Sequence, residues 1–193
     1  MAAALSPERL SVADAGLLVI DVQEKLLPKI HEPERLVHNI AFLLDACKLL
    51  NVPVWVTEQY PKGLGPTVAE LAKRLPAERP EKVAFSSCAV ASVVDGLRRG
   101  GRPKVLVAGM ETHVCVMQTV LDLLALGFRV FVAVDAVGCR YPIDHETALR
   151  RMEQAGAVPV TSEMAVFELT GQAGTPVFKE ISRLVQERMK AIS

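Results

Sequence analysis

Short apolar runs recur along this chain, separated by longer segments in which apolar residues return every three or four positions. The first run, Gly16-Leu17-Leu18-Val19-Ile20-Asp21, has no polar residue until its end. That is the pattern of a strand buried on both faces. Further strands are predicted over 52–57, 81–85, 104–108, 128–134 and 157–161. The intervening periodicity predicts a helix over 34–50, where Leu36, Ile40, Leu43, Leu44 and Cys47 share one face. Others are predicted over 67–74 (short), 89–99, 113–126 and 144–155, the last with Asp144 as a capping residue. Residues 58–66 hold two prolines and two glycines and read as an irregular loop. Val177, Ile181, Leu184, Val185 and Met189 predict a closing helix at about 175–191. Strands alternating with helices, each strand continuously apolar, imply an α/β fold. The expected architecture is a three-layer α-β-α sandwich around a six-stranded parallel, Rossmann-like sheet. It forms a single domain over 1–193, with a core at about 15–167.

Composition narrows the function. Half of the 193 residues are hydrophobic, enough for one full core. Lysine plus arginine equals aspartate plus glutamate, so no basic field is available to hold nucleic acid or acidic lipid. Near-zero charge with a high apolar content points to surface buried between subunits. The four cysteines, at 47, 88, 115 and 139, form no C-x-x-C pair. They read as reduced thiols of a cytoplasmic protein. The first nine residues lack the apolar stretch of a secretory signal, and no run is long and apolar enough for a transmembrane helix.

The candidate chemistry gathers at strand ends. In parallel sheets, ligands sit beyond the carboxyl ends of the strands. Cys115 follows the fourth strand at the start of a helix. A helix N-terminus can lower a thiol's pKa to ~3.5–7.5 and make it a nucleophile. Asp21 closes the first strand, on the expected neighbour of the fourth. Lys82 lies on the short third strand. Taken singly, each has a plainer reading: a capping aspartate, a solvated lysine, a buried filler thiol. The topology raises their standing together, because it can bring all three to one rim.

Three stretches carry a resemblance. They are Leu18-Val19-Ile20-Asp21-Val22-Gln23, then Glu81-Lys82-Val83-Ala84-Phe85-Ser86, then Val107-Ala108-Gly109-Met110-Glu111-Thr112-His113-Val114-Cys115-Val116. In that order they resemble the isochorismatase-like cysteine hydrolases, from about Ala15 to Phe167. The resemblance implies a catalytic triad of Asp21, Lys82 and Cys115. It also implies a cis peptide at Met110–Glu111 and an oxyanion hole made by the backbone N–H groups of Glu111 and Cys115. Asp21 would take the thiol proton, Lys82 would stabilise charge, and a thioester would form and be hydrolysed. The implied substrate is a small amide or related carbonyl compound, and the assembly that the resemblance implies is a homo-oligomer.

One departure from the family pattern stands out. Nicotinamidases of this family carry a metal site after the second strand. Here that region reads Thr57-Glu58-Gln59-Tyr60-Pro61-Lys62-Gly63, without a histidine. Neither a metal nor a cofactor is expected, and nicotinamide is a poor candidate substrate. Gln23, Glu58, Tyr60, His113 and Tyr141 are candidate pocket-lining residues. Cys139 reads as a buried filler, and Trp55 as core. A second reading is an isochorismatase-fold protein with weak or lost activity that acts through protein partners. A nucleotide-binding module is disfavoured, because no glycine-rich phosphate loop follows a strand.

Overall fold

The computed structural model describes residues 6–192. The expectation about a signal sequence rests partly on Met1 to Leu5, which lie outside the described residues. Six parallel strands form one sheet in the order β3-β2-β1-β4-β5-β6. The strands are β1 (Ala15–Ile20), β2 (Val54–Gln59), β3 (Glu81–Lys82), β4 (Lys104–Met110), β5 (Arg129–Gly138) and β6 (Val158–Val160). The helices are α1 (Pro33–Leu50), α2 (Pro61–Leu64), α3 (Ala69–Ala72), α4 (Ala91–Arg99), α5 (Met117–Ala125), α6 (Pro142–Gln154), α7 (Ser162–Thr170) and α8 (Pro176–Ile192).

Strand β1 lies at the centre, and its alternation explains the two cores. Leu17 and Val19 face the cluster built with α1, α7 and α8. Leu18 and Ile20 face the cluster built with α4 and α5. Successive side chains of a strand point to opposite faces, so one apolar run feeds both layers. All six residues of β1 are buried. Among the described residues, no helix is long and apolar enough to cross a membrane.

Close contact between β1 and β4 depends on Gly109. Its φ is +127°, and a Cβ there would stand 2.1 Å from the Ile20 carbonyl oxygen. Only glycine lets the two backbones pair so near their carboxyl ends. Trp55, expected in the core, is half-buried, with its ring over Gly16 and Gly96.

The structure corrects several sequence-based expectations. The helix α7 follows β6, where no element was expected. Strand β5 runs four residues past Val134, through a register shift against β4 between Val107 and Gly109. Strand β3 is two residues long, not five. The breaker-rich loop contains one helical turn, α2, started by Pro61 after a left-handed Tyr60. Pro fits the first helical position because its missing N–H would have no partner there. Helix α6 begins at Pro142 with Tyr141 at the N-cap, so Asp144 is not the cap; it lies in the first turn, where its charge still favours the helix dipole.

Candidate active site

The carboxyl ends of β1, β2, β3 and β4 converge. The chain leaves β1 at Asp21 with φ 53°, a left-handed conformation that aspartate tolerates better than most residues. The Asp21 amide donates to the Thr57 carbonyl at 3.1 Å, extending the ladder by one rung. Lys82 pairs with Gln59 along the β2–β3 register. Although β3 is the edge strand, the Lys82 side chain is only 1% exposed, because it is turned onto the end of the sheet. Its Nζ donates to Asp21 Oδ2 at 2.5 Å, Gln59 Oε1 at 2.8 Å and the Phe85 carbonyl at 2.8 Å, with the Ala84 carbonyl at 3.3 Å. The ammonium is therefore fully solvated by protein.

Cys115 does not open an ordinary helix. Residues Thr112–Val116 form a π turn that precedes α5. Single π turns inside helices are often found at functional sites. The Met110–Glu111 peptide bond is cis, as the resemblance implied. The Cys115 thiol interacts with both Asp21 and Lys82. Residues distant in sequence thus meet in one buried cluster: a carboxylate, an ammonium and a thiol.

The electrostatics correct one expectation. Burial pushes the Cys115 thiol up to about 12, the Asp21 charge adds to the rise, and Lys82 opposes it. Burial beside a carboxylate opposes the lowering expected of a helix end and favours the protonated thiol. Burial also raises Asp21 above the usual carboxylate range, against the lowering effects of Lys82, Thr57 and the thiol. A carboxylate with raised proton affinity is a better acceptor for the thiol proton.

The other predicted site residues separate into groups. Gln23 is fully buried and serves as framework. Its Nε2 donates to the Gln59 and Gly65 carbonyls, and its Oε1 accepts from the Gln59 amide. Glu58 is also buried, with Oε1 accepting from the amide and hydroxyl of Thr67. Both side chains are engaged in holding neighbouring backbone, and neither lines the four cavities described below. Tyr60 is 54% exposed and covers Gly63. Its amide donates to the Lys82 carbonyl, which places it on the rim of the cluster. His113 turns toward α6, with Nε2 3.8 Å from Asp144 Oδ2. Glu111 points its side chain at Arg140. Tyr141 and Cys139 line a separate cavity of 250 Å³ with His31 and His145. Cys139 is buried, as a filler should be, and its thiol donates to the Tyr141 carbonyl at 3.1 Å.

Sequence reasoning missed Thr57, Gln59, Ser87 and Thr119. Thr57 donates to Asp21 Oδ1 at 2.8 Å, and Gln59 accepts from Lys82. Thr119, one helical turn beyond Cys115, donates to the Cys115 carbonyl at 2.6 Å. The i, i+4 spacing of Cys115 and Thr119 was the one local signal available.

Cys115 is 6% exposed. Four surface cavities, including an 870 Å³ groove beside α1 and Arg188, are lined by other residues. Among the described residues, no group of three or more His, Cys, Asp or Glu side chains could hold a metal ion.

Comparison with known proteins places the fold. The sequence model of the isochorismatase domain matches residues 15–164. Isochorismatase domain-containing protein 2A of Mus musculus is 41% identical, with 96% of this chain and 89% of that protein covered. The MAR1 ribonuclease structure from Caenorhabditis elegans is 40% identical, covers 92% of both chains and superposes with a TM-score of 0.86. The YcaC structure from Escherichia coli, described as an octameric hydrolase of unknown specificity, is 27% identical with a TM-score of 0.86. It covers 98% of this chain and 97% of its own.

Proposed function

The chain belongs to the isochorismatase family, and from that premise we propose that it is a cysteine hydrolase of a small amide or related carbonyl compound. Asp21, Lys82 and Cys115 are the catalytic residues in this reading. One observation carries it: a thiol, a carboxylate and an ammonium share a nearly dry cluster at the carboxyl edge of the sheet.

The chemistry runs as general-base catalysis on a protonated thiol. As the sulfur attacks the carbonyl carbon, its proton passes to the Asp21 carboxylate. The carbonyl π pair moves to oxygen, and that oxyanion accepts from the backbone N–H groups of Glu111 and Cys115. The C–N bond then breaks, the leaving amine takes the proton from Asp21, and a thioester remains on Cys115. Water attacks the thioester and gives its proton to Asp21, and the departing sulfur recovers it. Lys82 holds the carboxylate in place throughout and offsets the negative charge.

The name of the Caenorhabditis elegans neighbour raises another substrate class, an RNA phosphodiester. A cation free to clamp the phosphate is a common means of stabilising phosphoryl transfer. Lys82 has its donors committed to Asp21, Gln59 and Phe85, which supports carbonyl chemistry over phosphoryl transfer. The octameric Escherichia coli relative supports a homo-oligomer here. The near-burial of Cys115 favours a second reading, a fold retained for protein contacts with little chemistry of its own.

One experiment separates the two. Small primary amides and ureides are incubated with the protein, ammonia release is followed, and acid-quenched samples are weighed intact. The expected result is release by the native protein, an acyl adduct on Cys115, and neither with Cys115→Ala. An absence of both adduct and turnover across the panel would remove the hydrolase reading and leave the second.

A further inference from the structure

A string of buried hydroxyls joins the acid to the nucleophile's own backbone. Asp21, Thr57, Ser87 and Thr119 are all 0% exposed. Thr57 Oγ1 donates to Asp21 Oδ1 at 2.8 Å and lies 3.1 Å from Ser87 Oγ. The Ser87 amide donates to Thr119 Oγ1 at 2.8 Å, and the Thr119 hydroxyl donates to the Cys115 carbonyl at 2.6 Å. The string crosses β2, the turn that starts at Ser87, and α5.

The direction of each bond follows from proton counting. A hydroxyl has one proton to give and two lone pairs. The Thr57 proton is committed to Asp21 when the carboxylate is ionised, so the Ser87 hydroxyl must supply the proton between Ser87 and Thr57. Thr119 accepts from Ser87 N–H and spends its own proton on Cys115. With Thr57 on Oδ1 and Lys82 on Oδ2, the carboxylate is held at both oxygens. Its plane is fixed, and the lone pairs left for the thiol proton are specified.

We propose that Thr57, backed by Ser87, is a positioning residue that orients the Asp21 carboxylate and keeps it ionised as the proton acceptor for Cys115. The proposal rests on the Asp21–Lys82–Cys115 reading above. The titratable groups facing Asp21 are Lys82 from β3 and Cys115 from the π turn; Thr57 is the neutral donor from β2. A donor to the anion disfavours protonation. Without the Thr57 hydroxyl, Asp21 takes up a proton at higher pH and is lost as a base there.

The test follows alkylation of Cys115 by iodoacetamide, read by peptide mass spectrometry from about pH 5 to pH 9, with Cys139 as internal control and thermal melting as the folding control. Thr57→Ala and Thr57→Ser both remove the methyl group; only the first removes the hydroxyl. The expected result for Thr57→Ala is an acid limb displaced to higher pH, with Cys115 labelling there about tenfold slower, the loss of one charge-assisted hydrogen bond. Thr57→Ser should track the native profile, and Ser87→Ala should move it in the same direction by less. Superimposed profiles for Thr57→Ala and native protein, or equal displacement by both Thr57 variants, would overturn the proposal. If Thr57→Ala does not fold, Ser87→Ala decides by the same comparison, and an unmoved limb sinks the idea. An Asp21→Asn variant that labels like native protein would instead remove the catalytic reading itself.

Discussion

At the scale of single residues, the central fact is an ion pair with almost no water around it. Lys82 and Asp21 have side chains 1% and 0% exposed. Such a pair gains little over an apolar substitute, but deleting one partner strands the other charge. Lys82→Ala should therefore destabilise the fold by about 3–5 kcal/mol. The neutral pair Asp21→Asn with Lys82→Met should recover much of that loss while labelling of Cys115 stays slow. Urea unfolding of the single and double variants checks this; equal midpoints for native protein and Lys82→Ala would show that the pair is not holding charge in a dry site. The same scale explains what the sequence could reveal. Asp21, Lys82 and Cys115 were legible because each stands in a motif at a strand end. Gln23 and Glu58 were assigned to a pocket because loop position says nothing about which polar groups a side chain will satisfy. The protonated state of Cys115 was also hidden: a helix start suggests a thiolate, and only burial beside a carboxylate reverses it.

At the scale of elements, the strands that build the site leave no slack. The β1–β4 contact places Asp21 and the π turn side by side, and it passes through Gly109. Gly109→Ala must fit a Cβ against the Ile20 backbone at a φ that L residues rarely adopt, so at least about 3 kcal/mol of stability should be lost. Cys115 labelling should fall with it, because Ile20 precedes Asp21. A variant with native melting temperature and native labelling would show that the two strands can separate freely. Pattern reading found β1, β2 and β4 because both faces of each are covered, making the run continuous. It ended β5 too early because Asp135 interrupts the apolar run. That side chain is not solvent-facing: it accepts from the Ser162 amide at the start of α7 and pairs with Arg188 of α8. Helix α7 escaped notice for a related reason. Met164, Ala165, Val166, Phe167 and Leu169 are nearly contiguous, so no polar stripe marks a helical period. Its N-cap, Thr161, accepting from the Met164 amide at 3.2 Å, was the available signal.

At the scale of the whole molecule, burial of thiols couples the fold to alkaline pH. Ordinary thiols of the unfolded chain titrate near 9.0, whereas burial holds Cys47 and Cys115 up at about 12 and Cys88 at about 11. The native state therefore keeps protons that the unfolded state gives up. Stability from these groups is complete below pH 9 and declines as pH rises toward their native values, each group contributing about 1.4 kcal/mol per pH unit. Cys47 isolates the effect, since it sits inside the α1 core, 1% exposed, with desolvation the cause of its shift. Urea midpoints should fall between about pH 8 and pH 10.5. The informative quantity is the difference between native protein and Cys47→Ala. That variant should be less stable at pH 8, because it opens a cavity, yet decline less steeply with pH. Parallel declines for the two proteins would mean that Cys47 ionises inside the core at no cost. The dryness assigned to the interior, on which the protonated state of Cys115 and the raised proton affinity of Asp21 both depend, would then be wrong.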